Sequence, residues 1–170
     1  IFIFWLRQEL KPKKIVFKIG NHDYRCERYM YTKAPELLDI QAFTFANLIE
    51  AEKLNIELVD NHKVIDAGKL TILHGHEYKS MSANVVNPAR GVLLKAKSCT
   101  LSAHNHRTSS QVETTIRGKQ VAAWTTGCLC DLKPLYMPLN QWNHGFALLE
   151  KRGNSFWVEN KRLIDGQVFD

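Results

Sequence analysis

A layered α/β fold, with mixed β-sheets flanked by helices, is predicted by the order of elements in this sequence and by what lies at their ends. Helical and strand-like segments alternate over the first two-thirds, and strands dominate the last third, an order that packs helices onto sheets. Three strand-like segments run into polar clusters, Gly20-Asn21-His22-Asp23, His74-Gly75-His76 and His104-Asn105-His106. The C-terminal edge of an α/β sheet is where ligands bind, so these clusters mark the edge to watch. With 170 residues, 45% of them hydrophobic, the chain can bury one core. No composition shift divides it, and residues 1–170 are read as a single domain.

The apolar run Ile1 to Leu6 is broken by Arg7, which makes it too short for a bilayer span; it reads as part of a core helix whose beginning is missing. Trp5 to Leu10 forms the last turns of that helix, and Pro12 stops it, because proline lacks the amide hydrogen and excludes its predecessor from helical angles. Ile15 to Ile19 is β-branched and aromatic between Pro12 and Gly20, the pattern of a buried strand. Asp23 is the expected N-cap of a helix through about Tyr31, and a second helix is expected over Phe43 to Leu54. Short strands follow at Ile56 to Val59, Lys63 to Ile65 and Lys69 to Leu73. Asn87-Pro88 starts a helix whose apolar face is Val92, Leu93 and Ala96, and Ser98 to Ser102 is the next strand. Two hairpins complete the chain, Gln111–Ile116 with Gln120–Thr126 and Gly145–Glu150 with Ser155–Asn160.

The net charge of +6, from 23 Lys and Arg against 17 Asp and Glu, favours anionic partners such as phosphate esters but is too scattered to be a nucleic-acid signature. The cluster Lys11, Lys13, Lys14 and Lys18 reads as a solvated face. Cys26, Cys99, Cys128 and Cys130 include no Cys-x-x-Cys pair, which argues against a disulfide framework and the common zinc modules and for a reducing cytoplasm, with no membrane association. Cys128 and Cys130 could join Cys99 or a His at a metal, although a cysteine beside apolar residues is more often a small buried hydrophobe.

Imidazole and Asn carbonyl groups suit borderline divalent metals, and His-x-His at a strand end lets two rings reach adjacent ions. A single His beside a strand is more often hydrogen-bonded structure; the coincidence at three strand ends is what carries weight. The order Gly20-Asn21-His22-Asp23, then His74-Gly75-His76, then Ala103-His104-Asn105-His106 resembles the calcineurin-like metallophosphoesterases, from Ile15 to about Thr126. The resemblance implies a metallophosphoesterase-like sandwich. It implies two divalent metal ions, Mn, Fe or Zn, that activate a hydroxide for hydrolysis of a phosphate ester, a phosphodiester such as a nucleotide or nucleic acid being the expected substrate. It also implies that Asn21, His74 and His104 bind the second metal, that His106 reaches the first, and that His22 is the catalytic general acid or charge stabiliser. Arg107 and Arg25 lie close enough to these motifs to bind the substrate phosphate, as guanidinium does well. His76 is expected to support its neighbouring ligand, His144 to pack in a turn, and Cys128 to lie near the site without binding.

The family's Asp-x-His and Gly-Asp-x-x-Asp motifs do not precede Gly20 in this sequence. The resemblance therefore implies an N-terminally truncated domain, short by at least one βαβ unit of roughly 30 residues, and a chain that by itself binds metal weakly and hydrolyses little. Two other readings come from different classes. One is a non-catalytic metallophosphoesterase-like scaffold or partner-binding domain; the other is a zinc-stabilised domain using Cys128, Cys130 and a nearby His.

Overall fold

The computed structural model describes residues 2–78 and 86–170, arranged as two compact units, Ile1–Lys63 and Val64–Asp170. The architecture is mixed α/β, with a two-stranded parallel sheet in the first unit and sheets of five and three strands in the second. No helix among the described residues is long and apolar enough to cross a membrane.

In the first unit, helix α1 (Phe2–Leu10) ends where expected, just before Pro12, with Lys11 in the left-handed region at φ 44°. Strand β1 (Ile15–Lys18) pairs in parallel with β2 (Ile56–Val59), Ile15 opposite Ile56 and Lys18 opposite Val59. The first strand is half-buried rather than buried. Helix α2 (Arg25–Lys33) forms, but Asp23 is not its cap. The Asp23 carboxylate instead accepts the Gly20 N–H at 2.8 Å, closing the turn that presents Asn21 and His22, and Tyr24 takes the cap position without a side-chain bond.

The helix expected over 43–54 is reduced to a single helical turn, α3 (Phe45–Leu48), preceded by two short 3₁₀ turns, Pro35–Leu37 and Gln41–Phe43. Thr44 is extended and accepts the Asn47 N–H on its hydroxyl, so a new cap sits where the helix was to continue. Glu50 and Asn55 then take left-handed angles, φ 52° and 47°, which no helix can carry through.

In the second unit, the five strands are β3 (Ile65–Ala67), β4 (Leu70–Leu73), β5 (Thr100–Ser102), β6 (Ser109–Thr114) and β7 (Gln120–Thr125), in the order β3-β4-β5-β7-β6. Strands β4, β5 and β7 run parallel, and β3 and β6 close the two sides antiparallel. Helix α4 (Pro88–Ala96) packs on one face, where Ala89, Val92 and Leu93 meet Val121 and Ala123 in the buried core. Its start is the one the sequence specifies, with the Asn87 side chain accepting the Arg90 N–H at 3.1 Å ahead of Pro88. Residues that alternate with Val121 and Ala123 face the other way, and the Trp124 ring meets Phe156 edge to face at 6.0 Å. Phe156 belongs to β9 (Ser155–Ile164), the middle of the antiparallel sheet formed with β8 (His144–Arg152) and β10 (Gln167–Phe169). Asn160 of β9 donates to the carbonyls of Ser109 and Thr125. The second unit is thus layered as helix, mixed sheet and antiparallel sheet.

Candidate metal centre

Because β4, β5 and β7 are parallel and aligned, with Leu73 opposite Ser102 and Ser102 opposite Thr125, the residues that follow all three leave the sheet at one edge. That edge carries His74-Gly75-His76-Glu77 after β4, His104-Asn105-His106 after β5, and Cys128-Leu129-Cys130 after β7. A parallel triplet with short exits gathers side chains from residues far apart in sequence, without needing a long loop.

The first cluster at this edge is His74, His76, His104 and Glu77. The His74 ring lies 4.8 Å from His76 and 4.9 Å from His104, centroid to centroid, and all four residues are partly buried. The Nδ1 atoms of His74 and His76 are 3.0 Å apart, so one ring donates to the other. Donation from His74 puts that ring's lone pair on Nε2, the tautomer a metal ligand needs, with His76 as its orienting partner. Glu77 fixes the turn: its carboxylate accepts the N–H of His74 at 3.1 Å and that of Gly75 at 2.6 Å. Its place three residues after His74 is a local carboxylate-closed turn like the one Asp23 makes with Gly20, and that repetition is the signal by which sequence reading could have found it. His74, His76 and Glu77 bring three ligand atoms within 4.8 Å of one another.

The loop after β5 is strained. His104 and His106 have φ of 51° and 54°, where a side chain costs about 1–2 kcal/mol, and Asn105 folds back to Ala103 through a backbone bond of 2.5 Å. The Asn105 Nδ2 is buried without a hydrogen-bond partner among the described residues. Alternating left-handed residues turn the two rings apart, so that His104 joins His74 while His106 joins the cysteines.

The second cluster is His106, Cys128 and Cys130, whose ligand atoms also lie within 4.8 Å of one another. Cys130 Sγ is 3.9 Å from His106 Nδ1. Cys128 is buried and Cys130 exposed. Burial, with hydrogen bonding to Cys130, pushes the Cys128 thiol up to about 11, so without a cation it is protonated at neutral pH. Trp142 meets the His106 ring edge to face at 4.2 Å, and His144 bonds through Nε2 to the Cys130 carbonyl at 2.9 Å. His144, expected only to pack in a turn, thus also braces the cysteine loop. Arg107 donates to the Val86 carbonyl at 3.0 Å.

Asn21, His22 and Arg25 belong to the first unit. The exposed Arg25 guanidinium contacts His22 Nε2 at 3.2 Å, and because guanidinium only donates, Nε2 accepts and the neutral ring carries its proton on Nδ1. The Asn21 Oδ1 is buried with no hydrogen-bond partner among the described residues. Leaving such an oxygen bare costs on the order of 1–3 kcal/mol, which a cation would offset. The donor chemistry gathered in the second unit, several imidazole nitrogens with a carboxylate, fits borderline divalent metals.

No family model matches the chain, and no curated protein matches it. Among solved structures, the chain is similar to three crystal structures of Vps29 from Entamoeba histolytica. A single mutant has 16% identity and a TM-score of 0.42, over 67% of this chain and 66% of that one, slightly less than two-thirds of its length. The wild-type protein complexed with Zn2+ has 14% identity and a TM-score of 0.43, over 71% of each chain. A double mutant has 14% identity and a TM-score of 0.43, over 92% of this chain and 94% of that one. These likenesses are loose, and the fold described above stands on its own strand order and register.

Proposed function

We propose that the chain carries part of the site of a metal-dependent phosphoesterase acting on phosphodiesters and is by itself at most weakly active. The observation that carries the reading is the parallel pairing of β4 and β5, which brings His74 and His104 to 4.9 Å at one sheet edge. Two divalent cations bound at such a centre supply Lewis acidity toward phosphoryl oxygens and lower the pKa of a water. His74 and His104 would hold one cation and His106 would reach the other; that Asn21 adds its amide oxygen is what the family resemblance implies. His76 fixes the His74 ring, and Glu77 fixes the backbone that carries both. His22, with its Nε2 engaged by Arg25, presents an Nδ1–H to the substrate as hydrogen-bond donor and charge stabiliser. Arg107 would offer its guanidinium to non-bridging phosphate oxygens, as would Arg25 by its closeness in sequence to His22. No Ser or Cys nucleophile is needed in this scheme.

A second reading, a metal-binding scaffold without hydrolysis, is favoured by one observation: both oxygens of Glu77, the carboxylate in the histidine cluster, already accept backbone amides. One experiment separates the two. The full chain is titrated with Mn2+ and assayed at high protein concentration on bis(p-nitrophenyl) phosphate. Hydrolysis predicts turnover that needs Mn2+, that falls roughly 100-fold or more in His22→Ala with Mn2+ affinity kept, and that falls with affinity in His104→Ala. Mn2+ binding with no turnover would favour the scaffold, and turnover indifferent to His104→Ala would overturn the assignment of the site.

A further inference from the structure

We infer that His106, Cys128 and Cys130 form a thiolate-bearing zinc site, distinct in chemistry from the cluster of His74, His76, His104 and Glu77 beside it. The inference rests on the second unit alone and does not depend on whether the chain hydrolyses phosphodiesters; if it does, the cation that His106 was proposed to reach is this zinc. Tetrahedral zinc with Zn–S of about 2.3 Å and Zn–N of about 2.0–2.1 Å sets its sulfur and nitrogen ligands about 3.6 Å apart. Cys130 Sγ and His106 Nδ1 are 3.9 Å apart, a few tenths of an ångström from that spacing, and the three ligand atoms lie within 4.8 Å of one another. A rotamer adjustment closes the remainder without backbone movement.

The backbone around the cluster is held from three sides. Asn143 N–H donates to the His106 carbonyl at 3.0 Å, the Asn143 carbonyl accepts the Cys128 N–H at 2.9 Å, and Gly145 N–H donates to the Cys128 carbonyl at 3.1 Å. The Asn143 side chain accepts the Thr108 N–H at 2.8 Å and donates to the Thr108 hydroxyl at 2.8 Å. One residue thus ties the loop after β5, the loop after β7 and the start of β8 together, so the ligands are positioned before any ion arrives. The Trp142 ring against His106 fixes that imidazole's plane.

Two sulfurs and one nitrogen select zinc over magnesium, calcium or manganese, which prefer oxygen. Binding converts both thiols to thiolates and releases their two protons to solvent, so the dication is neutralised by its own ligands. Three protein ligands leave the fourth position to a water or another ligand, on the side where Cys130 is exposed.

Cobalt substitution tests this on the full chain under a thiol-free reductant. Co2+ should produce thiolate-to-metal charge-transfer absorption in the near ultraviolet and the intense visible bands of a tetrahedral site. Cys130→Ser, at an exposed position that leaves folding intact, should weaken that absorption and lower zinc affinity, measured by competition with a chromophoric chelator, roughly tenfold or more. His106→Ala should do the same, whereas His74→Ala should leave the charge-transfer band in place. The inference is overturned by cobalt spectra without that band, by zinc affinity unchanged in Cys130→Ser, or by a Cys128–Cys130 disulfide that persists in the reductant. Loss of phosphodiester turnover in His104→Ala with the cobalt band intact would separate this site from the cation site of His74 and His104.

Discussion

A methyl group added at Gly127 would lie 2.6 Å from the Gly145 nitrogen and closer still to the Asn143 carbonyl, both of them backbone atoms that cannot swing aside. Gly127 therefore lets the loop after β7 pass tightly under the start of β8 and sets Cys128 against Asn143. Gly127→Ala is expected to destabilise the chain by about 1–3 kcal/mol, read as a lower urea midpoint at unchanged slope, and to weaken zinc binding in parallel. A midpoint equal to wild type would mean that the loop relaxes at no cost. Sequence motifs reveal this scale unevenly. His74, His104 and His106 announce themselves as His-x-His at strand ends, and the structure gathers the first two. Their division into two clusters depends on the left-handed angles of His104 and His106, which no composition or spacing encodes. Cys128 and Cys130 read either as small buried hydrophobes or as ligands with a nearby His, and which His is hidden in the sequence: His106, 22 and 24 residues away, is brought to them by strand pairing.

At the scale of elements, local chemistry decided what could be read. Helix α4 was legible because Asn87, Pro88 and the apolar face of Val92 and Leu93 all specify the same start and the same packing. Asn87 also reaches out of the helix, its amide donating to the Ser110 carbonyl at 3.3 Å. Asn87→Ala should cost about 1 kcal/mol or somewhat more, since it removes the cap and this tie to β6 together, while Asn87→Asp, which keeps the capping oxygen, should recover most of the loss in the same denaturation experiment. The helix expected over 43–54 failed for a comparable local reason. Thr44 caps the start by accepting the Asn47 N–H, but Glu50 turns left-handed, so the apolar spacing of Phe45, Leu48 and Ile49 is spent on a single turn. The hairpins were legible from Gly118 and Gly153, which take the positive φ their turns demand, 76° and 60°. Strand β8 runs beyond the expected pair of segments because β9 pairs with it from His144 through Arg152 without a break in register.

For the whole molecule, the sequence reads as one domain, whereas the backbone gathers into two compact units of unequal construction. In the second unit, β7 is paired on both sides, with β5 and with β6, and its Val121 and Ala123 are covered by α4. In the first unit, β1 and β2 pair only with each other, and a two-stranded sheet is marginal without further packing. Amide exchange follows the free energy of the opening that exposes each group, so these differences set an order. Under native conditions the Val121 and Ala123 amides should exchange slowest, and those of Val16 and Phe17 on the order of a hundredfold or more faster. Exchange measured across the full chain by NMR or by peptide-resolved mass spectrometry reads this directly. Equal protection in both units, with one cooperative thermal transition, would mean that the chain opens as the single domain its composition predicts. Separated protection would place Asn21, His22 and Arg25 in a unit that opens on its own while His74, His104 and His106 remain folded. If the proposed activity holds, metal binding should then outlast turnover as urea is raised, because His74, His104 and His106 persist after His22 is lost.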